Sequence, residues 1–275
     1  MAYALMNKGI TRPPKGKRYV HRRVVLRPVG ADGSAVATEQ VRLPCAARLV
    51  ALSIDYQNQP ATTDLLIKAD TTNGVTIFTR ANSATDLAQT AIAAPGLHST
   101  RTTVVDQGIH QGAGGFPVRG GVFIDVAQGD GQTSGDEQII VDLFFRLCTF
   151  AQITLVAQSG ADGTGAVTRT VDLQGAGVLA AVALDFQNMP VTTDVLIKAD
   201  DTNGATLFDS TSSLTDVAPT ALVSTAVDEG GAATADTDAG EGGLAFKRGL
   251  FIDVAQADIF TSGDEKIIAE LWIDE

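Results

Sequence analysis

The stretch Ala51–Phe78, ALSIDYQNQPATTDLLIKADTTNGVTIF, returns at Ala181–Phe208 as AVALDFQNMPVTTDVLIKADDTNGATLF, and 17 of its first 26 positions are identical. A second block, GVFIDVAQGDGQTSGDEQIIVDLFF from Gly121, returns from Gly249 as GLFIDVAQADIFTSGDEKIIAELWI, with 16 of 25 positions identical. A shorter echo precedes both: Gly30-Ala31-Asp32-Gly33 matches Gly160-Ala161-Asp162-Gly163. The offset is far longer than a solenoid repeat, which runs to about 20–50 residues. Each copy is long enough to close its own core. The chain therefore reads as a duplicated domain, with residues 1–23 as a basic N-terminal arm, 24–149 as copy one and 150–275 as copy two. The junction is expected at Thr149–Gln152, directly after the apolar run Leu143–Leu147, with no Pro- or Gly-rich linker.

Within a copy the pattern is that of strands. Val24–Leu26, Val36–Leu43, Arg48–Asp55, Asp64–Asp70, Val75–Thr79, Val118–Ala127 and Gln138–Leu147 are short runs rich in Val, Ile, Leu and Thr. Turn residues separate them, as in Ala31-Asp32-Gly33, Asn58-Gln59-Pro60, Thr72-Asn73-Gly74 and Gly129-Asp130-Gly131. Asn-Gly and Asp-Gly supply the left-handed backbone that tight hairpins need. Short strands at regular spacing predict an all-β fold, a tandem duplicated antiparallel β-sandwich with jelly-roll-like domains. The one helical expectation is a short segment over Ser83–Ala93, whose counterpart in copy two Pro219 interrupts.

Composition sets the outer bounds. With 275 residues, 44% hydrophobic and 19% charged, the chain can fill a core and is not of disordered type. No apolar run approaches the roughly 20 residues of a membrane-spanning helix. The apolar stretch Ala2–Met6 precedes the basic residues, the reverse of a secretory signal, so the chain reads as soluble and unprocessed. Cys45 and Cys148 do not amount to a disulfide framework and read as reduced, partly buried side chains.

Charge is unevenly placed. Residues 1–30 hold Lys8, Arg12, Lys15, Lys17, Arg18, Arg22, Arg23 and Arg27 and no acid, while the remaining 12 basic residues face 32 acidic ones. Such an arm suits a negative or polar protein surface, whereas the acidic body repels nucleic acid and anionic membrane. Pro13-Pro14 favours an extended backbone. The bland alternative is a solvated tail.

The duplication also tests for chemistry, because a shared catalytic group should recur at matched positions. His21 lies in the arm, His98 falls opposite Asp228, His110 lies in a divergent loop and Cys45 faces Gly175. No nucleophile elbow surrounds Ser99 or Ser134, and no phosphate loop, His-Glu-x-x-His or paired Cys-x-x-Cys is present. No catalytic, cofactor-binding or metal-binding residue is therefore assigned, and no enzyme is expected. The groups that do match are Asp55/Asp185, Asp64/Asp194, Asp70/Asp200, Asp125/Asp253, Asp130/Asp258, Asp136/Asp264 and Glu137/Glu265. They read as acids closing surface hairpins. Only Asp236–Glu241 resembles half of a calcium loop, and copy one lacks it. A glycosidase or carbohydrate-binding reading wants stacking aromatics, and the chain has one Trp and three Tyr. Asp64 and Lys68, four apart on one strand, should share a face and form a surface ion pair.

The repeat resembles small β-sandwich proteins that decorate or cement the capsids of tailed bacteriophages. The resemblance rests on Gln57–Asp64, Thr85-Asp86, Val126–Asp130 and Gly135–Glu137, and on their counterparts Gln187–Asp194, Thr215-Asp216, Val254–Asp258 and Gly263–Glu265. It covers most of both copies and omits the arm, and the duplication departs from a single-domain decoration protein. It implies a virion structural protein at the capsid surface, made in the host cytoplasm. Its partners would be the major capsid protein or neighbouring virion subunits, in a homo-oligomer that is trimeric by resemblance. The arm residues named above would supply the anchoring contacts. Two rivals stand beside it: a receptor-binding module using the divergent loops Ala94–Gly115 and Ser224–Gly243, and nucleic-acid binding through the arm.

Overall fold

In the computed structural model, residues 8–14, 18–92, 96–98, 103–104, 115–131, 136–157, 160–173, 175–210, 216–223, 244–259 and 264–274 are described. All regular elements among them are strands. They run β1 (Lys8–Thr11), β2 (Tyr19–Leu26), β3 (Ala35–Arg42), β4 (Ala47–Gln57), β5 (Asp64–Ala69), β6 (Thr76–Arg80), β7 (Leu87–Ala91), β8 (Gly96–His98), β9 (Thr103–Val104), β10 (Phe116–Val118), β11 (Gly121–Gly129) and β12 (Gln138–Leu147). The second half holds β13 (Thr149–Leu155), β14 (Gly165–Asp172), β15 (Gly177–Gln187), β16 (Asp194–Ala199), β17 (Thr206–Ser210), β18 (Val217–Val223), β19 (Leu244–Phe246), β20 (Gly249–Ala257) and β21 (Lys266–Asp274). The chain divides into two compact units.

The unit of residues 13–94 and 115–148 has two antiparallel sheets. One runs β2-β12-β4, with β7 and β10 both pairing β4; the other runs β3-β11-β5-β6. Leaving the short β10 aside, the strands in sequence order are arranged 1-8-3-6 and 2-7-4-5, which is the jelly roll. The unit of residues 1–12, 95–114 and 149–275 repeats the plan as β13-β21-β15-β18 and β14-β20-β16-β17. Two segments from the first half extend its larger sheet: β1 pairs β13 antiparallel, and β8 pairs β18 in parallel and β9 in turn.

Alternation drives these strands into sheets. In β5 and β12 every second residue is buried, so Leu65, Ile67, Ile139, Val141, Leu143 and Phe145 form the inner face. Shifting either strand by one residue would expose that whole set, which pins the register. The equivalent inner face in the other unit is Val195, Ile197, Ile267, Ala269, Leu271 and Ile273.

The turns match between copies even in backbone conformation. Left-handed non-glycine residues fall at Asn58 and Asn188, Asp70 and Asp200, and Gln128 and Gln256. In the Asp70–Gly74 turn the left-handed residue is Asp70, at φ 57°, and not the Asn-Gly pair. Gly74 is required for a different reason: a Cβ there would lie 1.7 Å from the Ala69 carbonyl oxygen, and 1.6 Å from that of Ala199 at Gly204. The expected helix over Ser83–Ala93 is replaced by β7, which pairs with β4 from Ala51 to Ile54. Completing the larger sheet outweighs the local helix preference of Ala84, Leu87, Ala88, Gln89 and Ala91. The run expected over Val118–Ala127 breaks at Arg119-Gly120 into β10 and β11.

The close approach at Gly74 gives a sharp expectation. Gly74→Ala should lower stability by about 1 kcal/mol or more, because backbone must move to admit the methyl group. Gly120→Ala, where a Cβ would meet nothing within 4 Å, should leave the melting temperature nearly unchanged. Thermal unfolding of the two variants checks the contrast.

Candidate functional site

The matched acids were the strongest chemical signal in the sequence, and the structure engages several of them at turns. Asp70 Oδ1 accepts the backbone N–H groups of Arg119 and Gly120, both at 2.8 Å. Asp200 Oδ1 does the same for Lys247 at 2.9 Å and Arg248 at 2.7 Å. Asp86 accepts the Tyr56 amide and Asp216 the Phe186 amide, each at 2.8 Å. Asp130 and Asp258 accept the amides of Gly33 and Gly163, again at 2.8 Å. Asp64 and Asp194 accept the side-chain amides of Gln128 and Gln256 at 2.7 Å. Each carboxylate satisfies a donor that the sheet ladder leaves over. Among the described residues no group of three or more His, Cys, Asp or Glu is placed to hold a metal ion. Asp236–Glu241 lies outside them, as do Ser99, Ser134, His110 and most of both divergent loops.

The expected Asp64–Lys68 pair is not formed. Lys68 Nζ instead reaches across to Asp125 Oδ2 at 3.2 Å and donates to the Thr72 carbonyl at 2.8 Å. Asp125 stands on β11, directly beside β5, so the cross-strand carboxylate is nearer than one two pleats away on the same strand. Cys45 and Cys148 are buried and unbridged, and burial pushes the Cys45 thiol up.

The basic residues assigned to the arm fall in three places. The backbone of Lys8 starts β1, and Arg12 Nη2 donates to the Leu173 carbonyl at 2.8 Å in the same unit. Lys15 and Lys17 lie outside the described residues. Arg18 closes onto the other jelly roll, its carbonyl accepting the Leu147 amide at 2.8 Å. Arg22 and Arg23 belong to β2, and exposed Arg27 follows it. The expected end of the arm at residue 23 thus falls inside a strand whose Val20, Val24 and Leu26 turn inward.

Arg23 grips Asp142 with two bonds, Nε to Oδ1 and Nη2 to Oδ2, both at 2.9 Å. His21 Nε2 lies 2.7 Å from Asp142 Oδ1, its ring stacked on Phe144 at 4.8 Å between centroids. The Arg23 bonds hold the Asp142 carboxyl below the usual carboxylate range. At the equivalent place in copy two, Gln152 donates to buried Glu270 at 2.7 Å. Sequence reasoning missed this pair and fully buried Arg48; the Asp142/Glu270 match was the available signal.

No family model matches the chain, and no curated protein matches it. Several solved structures overlap it along most of its length. One is PBCV-1 VP54 fitted into a reconstruction of the virophage Sputnik, with 9% identity, a TM-score of 0.24, and coverage of 96% of this chain and 95% of that one. The major capsid protein of Sulfolobus turreted icosahedral virus gives 8% identity, a TM-score of 0.25 and coverage of 94% and 96%. That of bacteriophage PM2 gives 10% identity, a TM-score of 0.25 and coverage of 92% and 97%. With overlaps this loose, the jelly-roll assignment rests on the strand order. No helix among the described residues is long and apolar enough to cross a membrane.

The turn carboxylates carry a pH signature. Backbone donors from Arg248 first, then Lys247 and Gly249, lower the Asp200 carboxyl, and Arg23 lowers that of Asp142. A lowered carboxylate contributes its stability in full above its unfolded value near 4 and loses it as pH falls through the lower folded value. Melting temperature should therefore drop as pH is taken from about 5 down to 2. Asp200→Asn and Asp142→Asn should each flatten that drop, which a series of thermal melts measures.

Proposed function

We propose that this chain is a structural protein of a virion, a subunit that decorates or cements a capsid and is anchored by its N-terminal segment. The observation that carries the reading is what the duplication has kept. The matched side chains build strands and close turns, and the carboxylates of Asp64, Asp70, Asp130 and their counterparts Asp194, Asp200 and Asp258 accept backbone or side-chain donors of their own copy. A protein selected for a reactive pocket would repeat a pocket. One selected for shape, area and rigidity would repeat hairpins. Jelly rolls serve viral shells, lectins and cupins. Of these the shell role asks least of stacking aromatics and clustered metal ligands, and only 5% of this chain is aromatic.

The partners that fit are other virion subunits, the major capsid protein first, with the capsid surface as the place of work. Lys8–Thr11 and Arg12 are the part of the arm free of β2, and so the part that can anchor without costing the first jelly roll a strand. Removing residues 1–12 should cut co-sedimentation with particles that lack this chain by about tenfold or more, as loss of a second linked contact does. Removing residues 1–23 would also damage β2 and would not isolate the arm. Undiminished co-sedimentation of the shorter truncation would discard the anchoring role.

A further inference from the structure

The two copies treat the same sheet edge in opposite ways. β2 and β13 are equivalent strands, each pairing on one side with the last strand of its copy, β12 or β21. Among the described residues β2 ends its sheet, whereas β13 carries β1 on its far side. An open edge offers unpaired N–H and C=O groups to any passing strand, and proteins guard it with charge or cover it. β2 is guarded by charge: Tyr-Val-His-Arg-Arg-Val-Val-Leu holds His21, Arg22 and Arg23, with Arg22 exposed at the position where copy two has buried Ala151. β13, Thr-Phe-Ala-Gln-Ile-Thr-Leu, holds no charged residue.

The cover on β13 is slight. β1 has four residues against the seven of β13, its pairing is irregular between Lys8 and Thr11, and Ile10 is 41% exposed. Pro13-Pro14 follows after Arg12 and disfavours a helical turn as the chain leaves the sheet. The strand is thus a detachable segment on an acceptor that has no other defence.

We infer that the outer edge of β13 is a strand-acceptor site whose occupant in the assembled state is Lys8–Thr11 of a second copy, so that copies strap one another by exchanging arms. The exchanged strand makes the same ladder bonds and the same Arg12 contact to the Leu173 carbonyl as it makes within one chain, so exchange costs little beyond association. The segment from Arg12 to Arg18 sets the reach, at most about 25 Å when fully extended. The inference shares the arm with the proposed function but does not need a virion, and purified protein tests it without particles.

Lys8 and Gln152 are opposite partners in the ladder. In the full chain, with Cys45 and Cys148 replaced by alanine and folding verified by circular dichroism, Lys8→Cys with Gln152→Cys should form an interchain disulfide on oxidation. Covalent dimers and longer species should rise with protein concentration, and should include mixed dimers when a tagged copy is added. Each single-cysteine chain should give none. Only intrachain bonds at every concentration would overturn the exchange, and no bond at all would overturn the acceptor itself. A second variant, Gln152→Arg, sets a cation opposite Lys8 and beside Glu270, copying the Arg23–Asp142 arrangement. Capture of untagged by tagged chain should then fall about fivefold, the effect of opposed like charges across a ladder. Unchanged capture in a folded variant would also count against the site.

Discussion

A carboxylate that accepts a backbone amide from a neighbouring turn is the interaction on which both jelly rolls depend. Asp70 and Asp200 sit at the end of the fourth jelly-roll strand in a left-handed conformation, and each holds the amides of the turn that begins β11 or β20. That clamp fixes where the seventh strand starts. The seventh strand in turn lies between the second and the fourth in its sheet. If the clamp slips, the register of three strands slips with it, and alternation then turns core residues outward. This is why the acids recur at matched positions when the surface around them has diverged.

Much of this was legible from residues alone. The repeat predicted one domain for each copy; the strand order does recur in both halves, but residues 1–12 and 95–114 cluster with the second half and not with copy one. The alternation of Asp64–Asp70 and Gln138–Leu147 predicted strands where β5 and β12 lie. The matched acids were read as closing hairpins; Asp70, Asp130 and their counterparts instead accept amides from turns distant in sequence, and Asp125 pairs Lys68 across strands. What escaped has local physical causes. β7 was taken for a helix because its pairing with β4 is a long-range reward that a local propensity does not contain. Lys68 chose Asp125 over Asp64 because the nearer carboxylate is on another strand, invisible to spacing along one. Arg22 and Arg23 were counted with the arm because a charged edge strand and a basic tail look alike in composition. The parallel pairing of β8 with β18 had no signal in the sequence, since it joins segments from unlike parts of the two copies.

The asymmetry between the copies carries as much information as their likeness. Duplication starts with two identical edges, and each copy has since met the hazard of an open sheet in its own way, one with Arg22 and Arg23 and the other with a borrowed strand. The same division appears at Asp142 and Glu270. The first is gripped by Arg23 at an exposed strand, and the second, buried, takes a neutral Gln152. The edge strand carries a cationic partner where it faces solvent and a neutral amide where another strand covers it. The fold is common to both halves, and it is at the edges of the larger sheets that they differ.

A chain that serves as a building element of a particle must be a stoichiometric part of it. Quantitative mass spectrometry of purified, salt-washed particles from the source of this chain tests it most directly. This protein should be found at a fixed, small-integer ratio to the major shell protein and be retained through the wash. Its absence from intact particles, with the protein recovered wholly in the unassembled fraction, would rule out a structural role in the particle.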